Sequence, residues 1–447
     1  MERLFGTDGV RGIANAQLTP QLAFQLGAAG AAGLTEGVHA PTILVGRDTR
    51  VSGEMLEAAL VAGILSMGGS VVRLGVLPSP GVAHLVRAMQ ADAGVVITAS
   101  HNSYEYNGIK YFGRGGLKLP DAIEDKLEAL ATGVTPLPTP PTGGGIGRAA
   151  NARAAGRTYL NFLQAQCPAS LDGMRVALDC ANGAASALAK RLFTAVGAQV
   201  FSSHQSPDGI NINARCGSTH MASLSALTRA KRADIGLAFD GDADRVLACD
   251  ENGDVLNGDR ILAICAKHLK QKGLLKNDTL VVTVMSNAGL DAAMRADGIA
   301  TVRTAIGDRS VLECMLKDGY SLGGEQSGHV IFLDYHTTGD GMLTALKLLE
   351  ALRGNGAPVS RQAAEAFTEL PQVLVGAKVT ERQKALWETD AAVQAQMADI
   401  SAALGGNGRI FVRASGTEPL IRILIEGTDS ARIERDADAL KTRIEAL

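Results

Sequence analysis

Three aspartates spaced two residues apart, Asp240, Asp242 and Asp244, follow the apolar run 235–239 and end on Arg245. Carboxylates are hard oxygen donors, and on a bent loop this spacing lets three of them converge on one Mg²⁺ or Ca²⁺. An EF-hand loop is the nearest alternative, since Glu251 falls at its twelfth position. It fails because Arg245 stands where that loop needs glycine and because strands, not helices, flank it. A solvated acidic turn remains the plainer reading, weakened by the buried strand that precedes the loop.

Three other stretches carry polar groups at the ends of apolar runs. Thr98-Ala99-Ser100-His101-Asn102 begins where the run 93–97 breaks. A serine at the C-terminal end of a buried strand stands where α/β folds place their ligand chemistry. Ser100 and His101 are adjacent, so they do not form a nucleophile–base pair, and no G-x-S-x-G elbow surrounds them. Alone, such a serine reads as a cap or turn residue. Gly323-Gly324-Glu325-Gln326-Ser327-Gly328-His329 offers a carboxylate, an amide, a hydroxyl and an imidazole between glycines. That polar density suits sugar hydroxyls, and an ordinary glycine-rich turn fits equally well. Arg413-Ala414-Ser415-Gly416-Thr417-Glu418-Pro419 combines a guanidinium, hydroxyls and free backbone N–H groups into a phosphate nest without the pattern of a nucleotide P-loop. Taken together, a serine, a three-aspartate loop, a sugar-suited loop and a phosphate nest describe phosphoryl transfer.

These loops need elements to hold them. At 447 residues the chain exceeds one core, and its elements alternate. A glycine-rich loop over 5–12 carries Arg11, and helices are predicted over 19–33, 52–68 (opened by Ser52 as cap) and 80–89, with strands over 42–46, 70–74 and 93–98. The Pro-, Gly- and Thr-rich stretch 132–147 reads as a connection between domains. A second round follows: helices over 152–166, 183–196 and 221–231, strands over 174–179, 199–202 and 234–239, and a hairpin at Asp250-Glu251-Asn252-Gly253. The third has helices over 259–272, 288–296, 310–317 and 339–352 around strands over 279–285 and 301–305. Similar element order in three units of about 100 residues suggests a repeat of architecture. After Pro358 a smaller α+β module appears, whose strand 421–425 is too apolar on both faces to be a solvated edge. The expected fold is α/β, three repeated mixed-sheet domains plus a C-terminal α+β domain, divided as 1–150, 151–256, 257–368 and 369–447.

A formal charge of -3 shows no basic surplus, which argues against nucleic acid or an anionic membrane as the main partner. No apolar stretch approaches the ~18 residues of a membrane span, and the first residues lack a signal-peptide pattern, so a cytoplasmic location is expected. Six scattered cysteines without a C-x-x-C pair read as buried free thiols. Oligomeric state is left open, a homodimer being one outcome.

Gly6-Thr7-Asp8-Gly9-Val10-Arg11-Gly12, together with the Ser100, Asp240, Glu325 and Arg413 stretches in this chain order, resembles the α-D-phosphohexomutase superfamily over nearly the whole chain. Gly307-Asp308-Arg309 and the Gln-Ser-Gly-His form of 326–329 resemble its glucosamine-phosphate subgroup. The resemblance implies four domains around a central cleft, a phosphorylated Ser100, and one Mg²⁺ per subunit held by that phosphate with Asp240, Asp242 and Asp244. It implies transfer of phosphate between C6 and C1 of glucosamine phosphate, a small-molecule sugar phosphate, through glucosamine 1,6-bisphosphate as activator and intermediate, on the route to UDP-N-acetylglucosamine and cell-wall precursors. Arg11 and Arg245 would hold phosphate oxygens, His101 matches the serine loop, and Lys110, at the family's offset from Ser100, becomes the general acid/base. A lysine buried beside Mg²⁺ can have a depressed pKa. Gly307, Asp308, Glu325, Ser327 and His329 would contact sugar, and Arg413, Ser415, Gly416 and Thr417 phosphate. Ser103-Tyr104-Glu105-Tyr106 departs from the proline-containing form common after the serine loop. The same chemistry on mannose or glucose phosphates, and a non-catalytic sugar-phosphate sensor, are the alternatives. Retention of Ser100, the aspartates and Lys110 argues against the sensor.

Overall fold

The computed structural model describes residues 3–6, 8–34, 40–167, 170–405, 408–415 and 419–447. They form two compact units, Met1–Met285 with Gly298–Ala366, and Ser286–Asp297 with Phe367–Leu447.

The first unit contains three sheets with one wiring. The first is made of β1 (Val10–Ile13), β2 (Thr42–Arg47), β3 (Ser70–Val76), β4 (Ala93–Ile97), β5 (Tyr106–Gly113) and β6 (Ala149–Asn151), ordered β1-β5-β4-β2-β3-β6. β7 (Arg175–Asp179), β8 (Gln199–Ser203), β9 (Ile235–Phe239), β10 (Val246–Asp250) and β11 (Val255–Leu256) make the second, ordered β11-β10-β9-β7-β8. The third holds β12 (Thr279–Thr283), β13 (Ala300–Thr304), β14 (Leu322–Gly324) and β15 (Val330–Phe332), ordered β13-β12-β14-β15. Each sheet places its first long strand between two parallel neighbours and returns through an antiparallel fourth: β3-β2-β4-β5, β8-β7-β9-β10 and β13-β12-β14-β15. β4, β9 and β12 are buried along their whole length, as strands covered by helices on both faces must be. The repeat that was faint in the sequence is therefore a repeat of topology. It makes the Ser100, Asp240 and Glu325 loops equivalent, each joining the third parallel strand to the returning one.

Several local expectations change. β1 begins within the stretch read as a glycine-rich loop and pairs antiparallel with β5. β5 and the helix Asp121–Ala131 were not anticipated; the helix buries Leu127 and Leu130 at helical spacing, whereas β5 mixes Asn107, Gly108 and Lys110 into a strand in which Asn107 and Lys110 are buried. Ser52 precedes the helix Gly53–Ser66 but makes no side-chain cap; its Oγ accepts instead from Asn107 Nδ2 at 2.9 Å. The helix predicted over 183–196 is confined to Ala189–Ala195. Gly183 lies so close to Gly241 that a Cβ would stand 2.3 Å from its carbonyl oxygen, and Ala184 N–H donates to that oxygen at 2.8 Å. That contact holds the chain in turns where a helix was expected.

In the second unit, β16 (Gln372–Lys378), β17 (Gly408–Ala414) and β18 (Leu420–Gly427) order as β16-β18-β17. β18 is paired on both sides, and Ile421, Ile423 and Ile425 join one core with Val393, Ile433 and Leu440. The helix Glu381–Leu386, opened by a Thr380/Gln383 capping box, was not anticipated. All six cysteines are free, five of them buried. No helix among the described residues is long and apolar enough to cross a membrane.

Candidate active site

Ser100 sits just past β4 with φ +50° and no solvent exposure. Its Oγ donates to Asp240 Oδ2 at 2.6 Å, and its N–H donates to Thr98 Oγ1 at 3.0 Å. Its carbonyl oxygen accepts from a terminal nitrogen of Arg50 and from Asn213 Nδ2, both at 2.9 Å. Arg50 is itself buried and paired with Asp48, Nε to Oδ2 2.9 Å, and reaches the carbonyls of Asn102 (2.9 Å), Tyr106 (3.0 Å) and Ser103. A buried guanidinium thus ties the carbonyls of the loop to one point. The sequence reading passed over Arg50, Asp48 and Asn213. The available signal was Arg47-Asp48-Thr49-Arg50, charged residues directly after an apolar strand.

On the equivalent loop after β9, one carboxylate oxygen from each of Asp240, Asp242 and Asp244 lies within 4.8 Å of the others, and all three residues are buried. Asp242 Oδ1 and Asp244 Oδ1 have no hydrogen-bond partner. Burial, then the charges of Asp244 and Asp242, pushes the Asp240 carboxyl well above the usual range. Three buried carboxylates facing one another, two of them with an oxygen that lacks a hydrogen-bond partner, fit a small dication with oxygen ligands. Asp242 is steadied by Ser79, whose Oγ donates to its carboxylate and whose N–H donates to its carbonyl at 3.0 Å; the N–H of Gly341 donates to Ala243 O at 3.0 Å.

Lys110 projects from β5 into this cluster, its Nζ 2.8 Å from Asp242 Oδ2, 3.5 Å from Asp244 Oδ2 and 3.7 Å from Asp8 Oδ2. Burial acts to lower its pKa, but Asp242, Asp8 and Asp244 outweigh it and raise the value. Among these carboxylates alone the ammonium form of Lys110 is favoured. Asp8 also accepts from Lys118 Nζ at 2.7 Å, which bridges to Asp308 Oδ2 at 2.6 Å. His329 completes the ring, Nε2 lying 3.4 Å from Asp308 and Nδ1 3.7 Å from Asp244. Burial opposes protonation of His329, yet Asp308 and Asp244 raise its pKa. Asp8 and Lys118 were not singled out from sequence, although Asp8 lies in the quoted Gly6–Gly12 motif.

The other candidates fall as follows. Arg245 donates to His101 Nδ1 at 3.3 Å, and the same nitrogen is 3.4 Å from Ser100 Oγ. Burial, then Arg245, lowers the His101 pKa, so the imidazole is neutral beside the serine. Arg11 is paired with Asp8, and both Arg11 and Arg245 keep a buried Nε without a hydrogen-bond acceptor. Glu325 Oε1 accepts from the N–H of Gly307 at 3.1 Å, and Ser327 is exposed. The first unit therefore gathers Arg11, Ser100, His101, Lys110, the three aspartates, Arg245, Asp308 and His329, with Gly307 joined to Glu325. Arg413 lies on β17 in the second unit, where the N–H of Ser415 donates to Leu420 O at 2.8 Å. Gly416 and Thr417 lie outside the described residues.

Comparison with known proteins agrees along the chain. Residues 2–136, 157–253 and 257–370 match phosphoglucomutase/phosphomannomutase alpha/beta/alpha domains I, II and III, and 374–442 match the C-terminal domain of that family. Curated relatives named phosphoglucosamine mutase include one from Clostridium perfringens (strain SM101 / Type A), 53% identical over 447 residues, covering 100% of this chain and 99% of the relative. Another from Ruminiclostridium cellulolyticum is 52% identical with the same coverage. Among solved structures, a phosphoglucomutase/phosphomannomutase family protein from Burkholderia thailandensis aligns with TM-score 0.84 at 24% identity, covering 100% of this chain and 98% of that one. The Aspergillus fumigatus N-acetylphosphoglucosamine mutase, solved with GlcNAc-6P and magnesium, aligns with TM-score 0.71 at 17% identity over 99% of this chain and 95% of that one. At these identities the two structures speak to fold.

Proposed function

The chain belongs to the phosphoglucomutase/phosphomannomutase family, and from that premise we propose that it is a phosphoglucosamine mutase. It interconverts glucosamine 6-phosphate and glucosamine 1-phosphate through phosphorylated Ser100 and glucosamine 1,6-bisphosphate, in the cytoplasm, supplying UDP-N-acetylglucosamine and cell-wall precursors. The observation that carries the chemistry is Ser100 Oγ at 2.6 Å from Asp240 within the aspartate cluster. The serine lies against a carboxylate that shares its cluster with two more, a place where a dication held by the three would meet a phosphate carried on Ser100.

Asp240, Asp242 and Asp244, with the phosphate on Ser100, would hold Mg²⁺. Bound there, Mg²⁺ supplies charge withdrawal from the phosphoryl group. Arg11 and Arg245, whose Nε donors are unspent, bind phosphoryl oxygens. As the bond from phosphorus to Ser100 Oγ breaks and one to a sugar hydroxyl forms, Lys110 gives a proton to the leaving serine oxygen and takes up the one the sugar hydroxyl loses, ending as the ammonium it began; the process reverses when the bisphosphate returns its other phosphate. His101 stands between Arg245 and Ser100 and orients both. Gly307, Asp308, Glu325, Ser327 and His329 receive the sugar hydroxyls. Arg413, Ser415, Gly416 and Thr417 are assigned to phosphate on their donor chemistry alone. In this reading residues 1–150 carry the phosphoserine, 151–256 the metal, 257–368 the sugar contacts and 369–447 a phosphate-binding module.

Intact-protein mass spectrometry combined with a glucosamine-phosphate assay tests the proposal. The expected result is one phosphoryl group on Ser100 and faster turnover on glucosamine 6-phosphate than on mannose or glucose phosphates. Glucosamine 6-phosphate as the poorest of the three would overturn the substrate, and full turnover by Ser100→Ala in the presence of bisphosphate would overturn the mechanism.

A further inference from the structure

A second cluster of metal-ligating side chains lies outside the Ser100 site. Asp179 ends β7, His204 follows β8 directly, and Cys216 arrives on the connection from β8 toward β9. One ligand atom from each lies within 4.8 Å of the other two. Asp179 and Cys216 are buried, while the His204 side chain is 31% exposed and opens the cluster to solvent. The present contacts draw the groups together: His204 Nδ1 is 3.0 Å from Asp179 Oδ2, which also accepts from Ser223 Oγ at 3.1 Å, and Asp179 Oδ1 accepts from Ala181 N–H at 2.9 Å.

The backbone is specialised at the same place. Ala181 (φ +53°), His204 (+46°) and Arg215 (+54°), none of them glycine or asparagine, adopt the left-handed region, and they flank or belong to the cluster. Such strained conformations collect where side chains must be aimed. The segment that carries Cys216 also serves the first site. Asn213 holds the carbonyls of Ser100 and Asn102, both at 2.9 Å, and the N–H of Ser218 donates to Phe239 O, one residue before Asp240, at 3.0 Å.

We infer that Asp179, His204 and Cys216 form a binding site for one zinc-class divalent cation. A thiolate, an imidazole and a carboxylate match the N, S and O donor set of Zn²⁺, with a fourth position open at the His204 side. The oxygen-only aspartate site prefers Mg²⁺, so the two sites divide the cations between them. Binding breaks the S–H bond of Cys216, releases that proton to solvent and forms a sulfur–metal bond, with no change of oxidation state. The occupied site pins the segment 213–218 between the two loops it supports.

The test uses the full chain with Mg²⁺ in excess and Co²⁺ as a spectroscopic stand-in for zinc. The expected result is a near-ultraviolet sulfur-to-cobalt charge-transfer band that saturates at one equivalent and is displaced by Zn²⁺. The aspartate site has no sulfur, so it cannot produce this band. Cys216→Ser should abolish the band. His204→Ala, at a partly exposed position where folding is retained, should weaken Co²⁺ binding at least about tenfold and remove the rise in melting temperature that Zn²⁺ gives the unaltered chain. Absence of the band in the unaltered chain, its persistence in Cys216→Ser, or unchanged affinity in His204→Ala overturns the inference. None of these readouts uses turnover, so the assigned sugar chemistry stands or falls separately.

Discussion

The Ser100 and Asp240 loops occupy the same place in two copies of one topology, yet they are built in opposite ways. The Ser100 loop presents a single hydroxyl and spends its surroundings on backbone: Arg50 and Asn213 together hold the carbonyls of Ser100, Asn102, Ser103 and Tyr106. The Asp240 loop presents three carboxylates and leaves two of their oxygens without partners. Each is braced from the neighbouring domain, the serine loop by Asn213 and the aspartate loop by Ser79. A repeated fold thus gave one copy positional control and the other charge. The two loops meet where Ser100 Oγ donates to Asp240 Oδ2.

The comparison can be broken most severely at the hydroxyl. Ser100→Ala should abolish turnover and remove the phosphoryl group seen by intact mass, with the melting temperature nearly unchanged. On the charged side, Asp242→Asn should lower kcat by about 10²–10³ with little change in melting temperature; equal fractional losses of activity and stability would mean that this loop is structural like its counterpart. The positional side is tested by Arg50→Met, which strands Asp48 in the interior and should cost about 3–5 kcal/mol in urea unfolding. A loss below about 1 kcal/mol would show that the carbonyl cage does not hold the serine loop.

The smallest effect concerns the brace on Asp242. His336 lies against Pro80 O at 3.0 Å, next to Ser79, and burial with His84 nearby pushes its pKa down to about 3. An unfolded histidine titrates near 6.5, so the unfolded chain binds more protons between the two values. The stability this neutral imidazole contributes is complete above pH ~6.5 and is lost as pH falls toward ~3, by up to about 1.4 kcal/mol per unit. His336→Asn should flatten that slope in melting curves between pH 7 and pH 5. An unchanged slope would show that His336 titrates normally and does not lock the helix Ser79–Ala88.

Legibility followed chemistry. Ser100, the aspartates and His329 stood in stretches whose combined residue types suggested a use, Lys110 was reached only through the family resemblance, and all of them lie in one cluster. Arg50, Asn213, Asp8 and Lys118 act through contacts distant in sequence, Arg50 at fifty residues and Asn213 at 113 from Ser100, and no local pattern marks such partners. β5 was missed for a related reason, since its buried Asn107 and Lys110 find partners distant in sequence and erase the apolar signature of a strand.

By itself the sequence determined the order of elements, the apolar central strands and the donor chemistry of each loop, because these depend on residue type and short spacing. The tertiary structure decided which loops meet, that the three sheets share one strand order, that Lys110 is set among carboxylates that favour its charged form, and that Asp179, His204 and Cys216 converge. Those outcomes depend on burial and on distances between residues far apart in the chain, where low dielectric and neighbouring charge, not residue type, set what a group does.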